Sequence, residues 1–239
     1  MIKLAVSGCY GRMGQRITHF ALQDKEFKLS ALLERPDHPQ NSQLLEGLPV
    51  VTDANKLAGS DVLIEFTTPE ATLKNLEICR KHKVRMVIGT TGLDPQQIEQ
   101  IHQASEDVAI VFSSNMSVGV NILFKLTEIL SKTAPANYTV SIREAHHIHK
   151  KDSPSGTAKT LAEFVETNST HKVKNIEAIR EGEIIGDHDV IFESEEDVIV
   201  LRHHAKTRDI FAKGSLVAAK FLATKNKGLF HMQDVLGLR

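Results

Sequence analysis

The sequence runs to 239 residues, 41% hydrophobic and 25% charged, a balance that gives an ordinary globular protein with enough apolar material for two lobes. A formal net charge of −1 gives no reason to expect nucleic acid or an anionic membrane as partner, so positive charge matters only locally. Cys9 and Cys79 show neither metal-ligand spacing nor a disulfide framework; with no signal peptide and no apolar run of spanning length, a cytoplasmic protein is expected.

The first half alternates short apolar runs with helical patterns. "IKLAVSG" (2–8) reads as a buried strand and "MGQRITHFALQ" (13–23) as a helix. "KLSALLE" (28–34) is a second strand, and 36–49 a Pro- and polar-rich connection. "DVLIEFT" (61–67), "VRMVIGTT" (84–91) and "VAIVFSS" (108–114) read as three further strands, with helices over 69–83 and from Pro95 to about Ala104 between them. Strands nearly continuous in Val, Ile and Leu, separated by helices, predict a Rossmann-like doubly wound parallel sheet covered on both faces.

That rhythm breaks after Asn115. A longer helix over 120–133 precedes an alternating strand, "YTVSIREAHH" (138–147), and a strand-like stretch from Ile176 to about Phe211. A second α+β domain on a mostly antiparallel sheet is expected. The predicted division is a dinucleotide-binding domain over 1–116, a substrate-binding domain over 117–212, and a C-terminal amphipathic helix within 213–239 returning to the first.

"SGCYGRMG" (7–14) sets Gly8, Gly11 and Gly14 between the first strand and first helix. Gly8 permits a tight turn, Gly11 lets backbone N–H groups approach a phosphate, and the helix start favours a pyrophosphate. The GxxGxxG spacing departs from the usual dinucleotide fingerprint and alone is weak, because a glycine-rich turn needs no ligand. Glu34 at the end of the second strand strengthens it, since an acid there accepts hydrogen bonds from the adenosine ribose. Arg35 beside it could hold the 2′-phosphate of NADP, so the pair predicts tolerance of NADH and NADPH. "GTTG" (89–92) and "SSNMSVGVN" (113–121) end at the same sheet edge, where ligands of such folds bind.

"EAHHIHKKDSPSGTA" (144–158) crowds His146, His147, His149, Lys150 and Lys151 ahead of a Ser-Pro-Ser-Gly-Thr turn. Alternation sends His146 and His147 to opposite faces, and a helix opens near Ser155 or Gly156. Amides of Gly156 and Thr157, the Thr157 hydroxyl and Lys150 suit a carboxylate, with histidine and lysine at hand to deliver a proton. A small dicarboxylate substrate is the expected partner. Two other readings stay open: histidines that merely cap a loop, and a metal site at His146, His147 and His149, although no complete ligand set accompanies them and no metal is expected.

Together these four segments resemble dihydrodipicolinate reductase, also called 4-hydroxy-tetrahydrodipicolinate reductase, of lysine and diaminopimelate biosynthesis. The resemblance spans essentially the whole chain, and its E-x-H-H-x-x-K-x-D-x-P-S-G-T-A pattern is the specific part. It implies an NAD(P)H-dependent reduction to tetrahydrodipicolinate by a cytoplasmic homotetramer, with the 117–212 domain as the oligomerisation domain. It also implies His146 as acid/base, Lys150 as proton donor, and His147, Gly156 and Thr157 as substrate contacts. The implied cofactor contacts are Gly8, Cys9, Tyr10, Gly11, Arg12, Met13, Glu34, Arg35, Gly89, Thr90, Thr91, Ser113, Ser114, Asn115 and Met116. Cys9 and Tyr10 replace commoner small residues in the turn, Ser153 replaces an alanine, and the short 36–49 connection predicts an altered adenine pocket. Another two-domain dehydrogenase on a small amino or hydroxy acid, and a dinucleotide sensor without catalysis, are the rival readings.

Overall fold

The computed structural model describes residues 1–239. The first apolar run forms β1 (Ile2–Ser7), and α1 (Arg12–Gln23) follows through the glycine turn. β2 (Phe27–Leu33) pairs with β1 in parallel. Next come β3 (Leu44–Leu45) and β4 (Leu48–Val51), then a short 3-10 turn over Ala54–Leu57. β5 (Val62–Glu65) leads to α2 (Pro69–His82), which starts where Thr68 caps the Ala71 amide and Pro69 fixes the first turn. β6 (Arg85–Ile88) leads to α3 (Pro95–Ser105), opened by an Asp94–Gln97 capping box. β7 (Ala109–Phe112) ends this run.

Two compact units emerge, one over 1–117 with 211–237 and the other over 118–210. In the first, eight strands lie in the order β12-β7-β6-β5-β1-β2-β4-β3. All neighbours are parallel except β3 and β4, which form a hairpin. The sheet has an apolar core on each face. Leu4, Val6, Ile64 and Val87 pack with Ile17 and Ala21 of α1 and with Leu216. Ala5, Leu63, Met86 and Ile110 pack with Leu76 and Cys79 of α2 and Ile101 of α3. Burial on both faces is why these strands are rich in Val, Ile, Leu and Ala.

The second unit begins with α4 (Val118–Thr133), then β8 (Thr139–His146), α5 (Gly156–Asn168), β9 (Val173–Arg180), β10 (Asp187–Glu193) and β11 (Val198–His204). Its sheet runs β11-β10-β8-β9, antiparallel except for the parallel β8–β9 pair. Both helices share one core with the sheet, where Phe124 stacks on Phe164 at 5.3 Å and Leu161 and Phe192 are fully buried. The fold is thus the expected parallel α/β sheet with a second α+β unit.

Three local expectations need correction. The 36–49 connection contains the β3–β4 hairpin, turned by Glu46 and Gly47, both at positive φ (51 and 77). Such a two-residue turn suits a hairpin, but Pro49 and a two-residue first strand hide it in the sequence. The strand-like stretch ends at His204, because Phe211 lies in α6 (Asp209–Leu222). Nor does helix run on to 228 and beyond. "ATKNKG" ends it, β12 (Gly228–Phe230) adds to the sheet beside β7, and a short α7 (Met232–Val235) follows.

Within the first unit, α6 crosses the backbone after β7 so closely that a Cβ on Gly214 would lie 1.8 Å from the Met116 carbonyl oxygen. Gly214→Ala must therefore push backbone apart and should cost about 1–3 kcal/mol in urea unfolding. An unchanged midpoint would mean that this crossing is compliant.

Candidate active site

In the first unit, several implied cofactor residues sit at the carboxyl ends of neighbouring parallel strands. Gly8 takes φ +63 directly after β1, and Gly14 packs so tightly on the turn that a Cβ would lie 2.2 Å from the Gly8 carbonyl oxygen. Gly11 precedes α1 with no side-chain cap on the helix start. Beyond these ends opens a cavity of about 630 Å³, lined by Gly8, Tyr10, Gly11, Glu34 and Arg35 among others, with Thr67, Lys74 and Asn75 across from them. That size suits part of a dinucleotide. A bare, glycine-built helix start beside such a cavity is the cradle a pyrophosphate requires.

Not every expected residue faces this cavity. Cys9 is fully buried, its amide donates to the Leu33 carbonyl at 3.2 Å, and burial pushes its thiol up to about 12. Arg12 and Met13 open α1 without lining the cavity. Gly89, Thr90 and Thr91 follow β6, where Thr90 is buried and its hydroxyl accepts from the Thr67 amide at 3.1 Å. Ser113, Ser114, Asn115 and Met116 follow β7; Ser113 donates to the Asn115 carbonyl at 3.1 Å, and Met116 is buried.

Sequence reasoning passed over Glu65 at the end of β5. Its carboxyl is fully buried, accepts from Asn75 at 2.7 Å and from the Thr67 hydroxyl, and has no cation partner. Burial outweighs these hydrogen bonds and raises its pKa.

The second unit builds a different kind of site around Glu144. This side chain lies on β8 two positions before His146, so both share one face of the sheet. His146 Nδ1 is 2.5 Å from Glu144 Oε2. Arg180, at the end of β9, grips both carboxylate oxygens at 3.0 and 2.8 Å. The Ser155 amide, just before α5, donates to Oε1 at 3.1 Å. Burial alone would raise the pKa of Glu144; the bonds from His146, Arg180 and Ser155 outweigh it and hold the carboxyl down at about 2. An ionised carboxylate only accepts, so the proton between the pair belongs to His146 Nδ1 and leaves Nε2 for chemistry.

Around this pair, His188 on β10 stands edge-on to the His146 ring at 5.1 Å, and its Nε2 lies 3.2 Å from the Ser155 hydroxyl. Burial, then the neighbouring His146, pushes its pKa down to about 3, so it stays neutral. Lys150 pairs with Asp152 at 2.8 Å. Burial opposes ionisation of Asp152, but Lys150 and the Gly156 amide bring its pKa below the usual value. Gly156 opens α5 and Thr157 is buried in its first turn. The three histidines of the motif diverge: His147 is half-buried at the end of β8, while His149 is exposed near Glu183 at 3.7 Å. No three His, Cys, Asp or Glu side chains gather as a metal site.

Glu144, Arg180, Ser155 and His188 were not singled out from the sequence. For Glu144 and Ser155 a signal existed, namely the i, i+2 spacing to His146 and a serine before a helical run. Arg180 and His188 carry none, because they meet the site only through the sheet register that sets Arg180 opposite His146 and His188 opposite Glu144.

A parallel sheet with a glycine turn after β1, together with an α+β unit holding a histidine–carboxylate pair, has the architecture of a two-domain dinucleotide-dependent oxidoreductase. Residues 2–116 match the family model "Dihydrodipicolinate reductase, N-terminus" and residues 119–236 match "Dihydrodipicolinate reductase, C-terminus". The 4-hydroxy-tetrahydrodipicolinate reductase of Nitrosomonas eutropha is 44% identical, spanning all of this chain and 99% of its own. That of Geotalea daltonii is 40% identical over the whole of both chains. A dipicolinate-bound dihydrodipicolinate reductase from Paenisporosarcina superposes with a TM-score of 0.80 at 26% identity, over 98% of both chains. The chain belongs to the dihydrodipicolinate reductase family.

A depressed carboxylate pKa stabilises the fold above its ordinary value of 4.5 and loses that contribution as pH falls toward about 2. Glu144→Gln should therefore lower the melting temperature most above pH 5, with the gap to wild type closing as pH approaches 2. Thermal melts across this range check it. A gap independent of pH would mean that Glu144 is not ionised in the fold.

Proposed function

We propose that this chain reduces 4-hydroxy-tetrahydrodipicolinate to tetrahydrodipicolinate, in the cytoplasmic route to diaminopimelate and lysine, with NADH or NADPH as reductant. The observation that carries the reading is the buried, ionised Glu144 that holds His146 near the start of α5 and Lys150. The reduced dinucleotide, when bound, supplies the hydride. The turn from Gly8 to Met13, with Glu34, Arg35, Gly89 to Thr91 and Ser113 to Met116, holds it.

In the second unit the α5 start, with Gly156, Thr157 and His147, takes a carboxylate of the substrate. Lys150 adds a positive charge there and delivers the proton, while His146 orients and exchanges protons through Nε2. Glu144 fixes the His146 tautomer and offsets the charge on Arg180. The dipicolinate named with the Paenisporosarcina structure has the two carboxylates this reading requires. Association into a homotetramer belongs to the same proposal, supported by Val198 and Val200, exposed along the edge strand β11. The placing in the cytoplasm is supported by two free, buried cysteines. No helix is long and apolar enough to cross a membrane.

Lys150→Ala should lower kcat by about 10²–10⁴-fold while leaving dinucleotide affinity unchanged. Steady-state assay with the freshly generated substrate checks it, and a variant retaining most of its turnover would remove Lys150 from the mechanism. Pyridine-2,6-dicarboxylate should compete with substrate and bind more tightly than pyridine-2-carboxylate by about 1.5–3 kcal/mol, the worth of one charge-assisted contact. Equal inhibition constants would contradict a carboxylate site at α5.

A further inference from the structure

Tyr10 stands inside the glycine turn where a small side chain would serve, and no step above uses its ring. The side chain is 8% exposed and stacks on His38 with centroids 4.9 Å apart and 15° between planes. Its hydroxyl lies 2.7 Å from the carbonyl oxygens of both Gln40 and Gln43. Its amide donates to Glu34 Oε2 at 3.1 Å, and its carbonyl accepts from the Gln15 side chain at 2.7 Å. Apart from Gln15, all of these partners lie between 34 and 43.

That segment is folded upon itself. Asn41 Nδ2 donates to the carbonyls of Arg35 and Pro36 at 2.9 Å each, and the His38 amide reaches the Arg35 carbonyl at 3.2 Å. Glu34 Oε1 accepts from the Arg35 amide at 3.0 Å, so both carboxylate oxygens are held by backbone. Arg35 Nη1 sits 3.4 Å from Asp37 Oδ2. Glu34 and Asp37 outnumber Arg35 there. The other two charged residues at the cavity, Glu70 and Lys74, lie one turn apart on α2 and offset each other.

We propose that Tyr10 is a positioning residue that sets cofactor choice: it fastens the 34–43 segment so that a fixed Glu34 and an Arg35 shared with Asp37 select NADH over NADPH. This rests on the reading of the cavity as the dinucleotide site. A ribose 2′-hydroxyl can donate to the Glu34 carboxylate. A 2′-phosphate brings like charge to a carboxylate that two amides keep from swinging away, and must share Arg35 with Asp37. The tolerance of both cofactors expected from Glu34 and Arg35 side by side is thereby narrowed.

The test is direct binding of NADH and NADPH by calorimetry to wild type, Tyr10→Phe and Asp37→Asn. Wild type should bind NADH at least about 10-fold more tightly. Tyr10→Phe keeps the ring and the amide but cuts the tether to Gln40 and Gln43, and should narrow the ratio several-fold. Asp37→Asn, on an exposed side chain, should narrow it by strengthening NADPH, and serves if Tyr10→Phe does not fold. The chain has two tyrosines and no tryptophan, so in a Tyr138→Phe background tyrosine emission reports Tyr10 alone and should be shielded from acrylamide. Equal affinities in wild type would overturn the selection, and an unchanged ratio in Tyr10→Phe would overturn the role of the tether. A merely structural tyrosine would weaken both cofactors alike. Failure of both dinucleotides to bind wild type would instead refute the dinucleotide reading of the cavity.

Discussion

Glu144 is the constraint on which the second unit's chemistry depends. Burying a carboxylate costs several kcal/mol unless its lone pairs are met, and here four donor groups from three elements meet them. His146 comes from β8, two guanidinium nitrogens from the end of β9, and the Ser155 amide from the entry to α5. One anion therefore fixes the imidazole, the first turn of the helix and the end of a strand together. Arg180 carries the same fixing further, since its Nη2 also donates to the Asp152 carbonyl at 2.7 Å and so ties down the segment that bears Lys150.

The first unit contains the opposite case. Glu65, like Glu144, has no exposed surface, but its donors, among them Asn75, Ser7 and the Thr67 hydroxyl, are all neutral, and its pKa moves up rather than down. Glu144 has the cationic partner Arg180 and the His146 ring, and Glu65 has neither. Glu65 also orders its neighbours. Asn75, which bonds Glu65, also donates to Ser7 at 3.0 Å, and both Asn75 and Ser7 line the cavity. The protein thus holds one buried acid with cations and the other with neutral donors alone.

Much of the fold was legible in the sequence because its signals are local. Short runs nearly continuous in Val, Ile and Leu marked β1, β5, β6 and β7, and the glycine turn, Pro69 and Pro95 marked helix starts. The β3–β4 hairpin and β12 were not legible, being two to four residues long and broken by Pro49 or following a Lys- and Asn-rich stretch. In the histidine–lysine segment, the residues from Glu144 to Thr157 could be read together because they are neighbours in the chain. Arg180 and His188 could not, since only strand pairing brings them to Glu144. Tyr10 was visible as an oddity, but its partners at Gln40 and Gln43 lie in a connection without periodicity.

The central claim is that an ionised Glu144 holds His146 with the proton on Nδ1 and Nε2 directed to the chemistry. It is tested most directly by two-bond 1H–15N correlation spectra of the imidazoles near pH 7, with His146 assigned by its loss in His146→Asn. A protonated Nδ1 with a far-downfield proton, bonded to Glu144, is the predicted result. A bare Nδ1 with the proton on Nε2 would contradict it, because two lone pairs would then face each other across 2.5 Å.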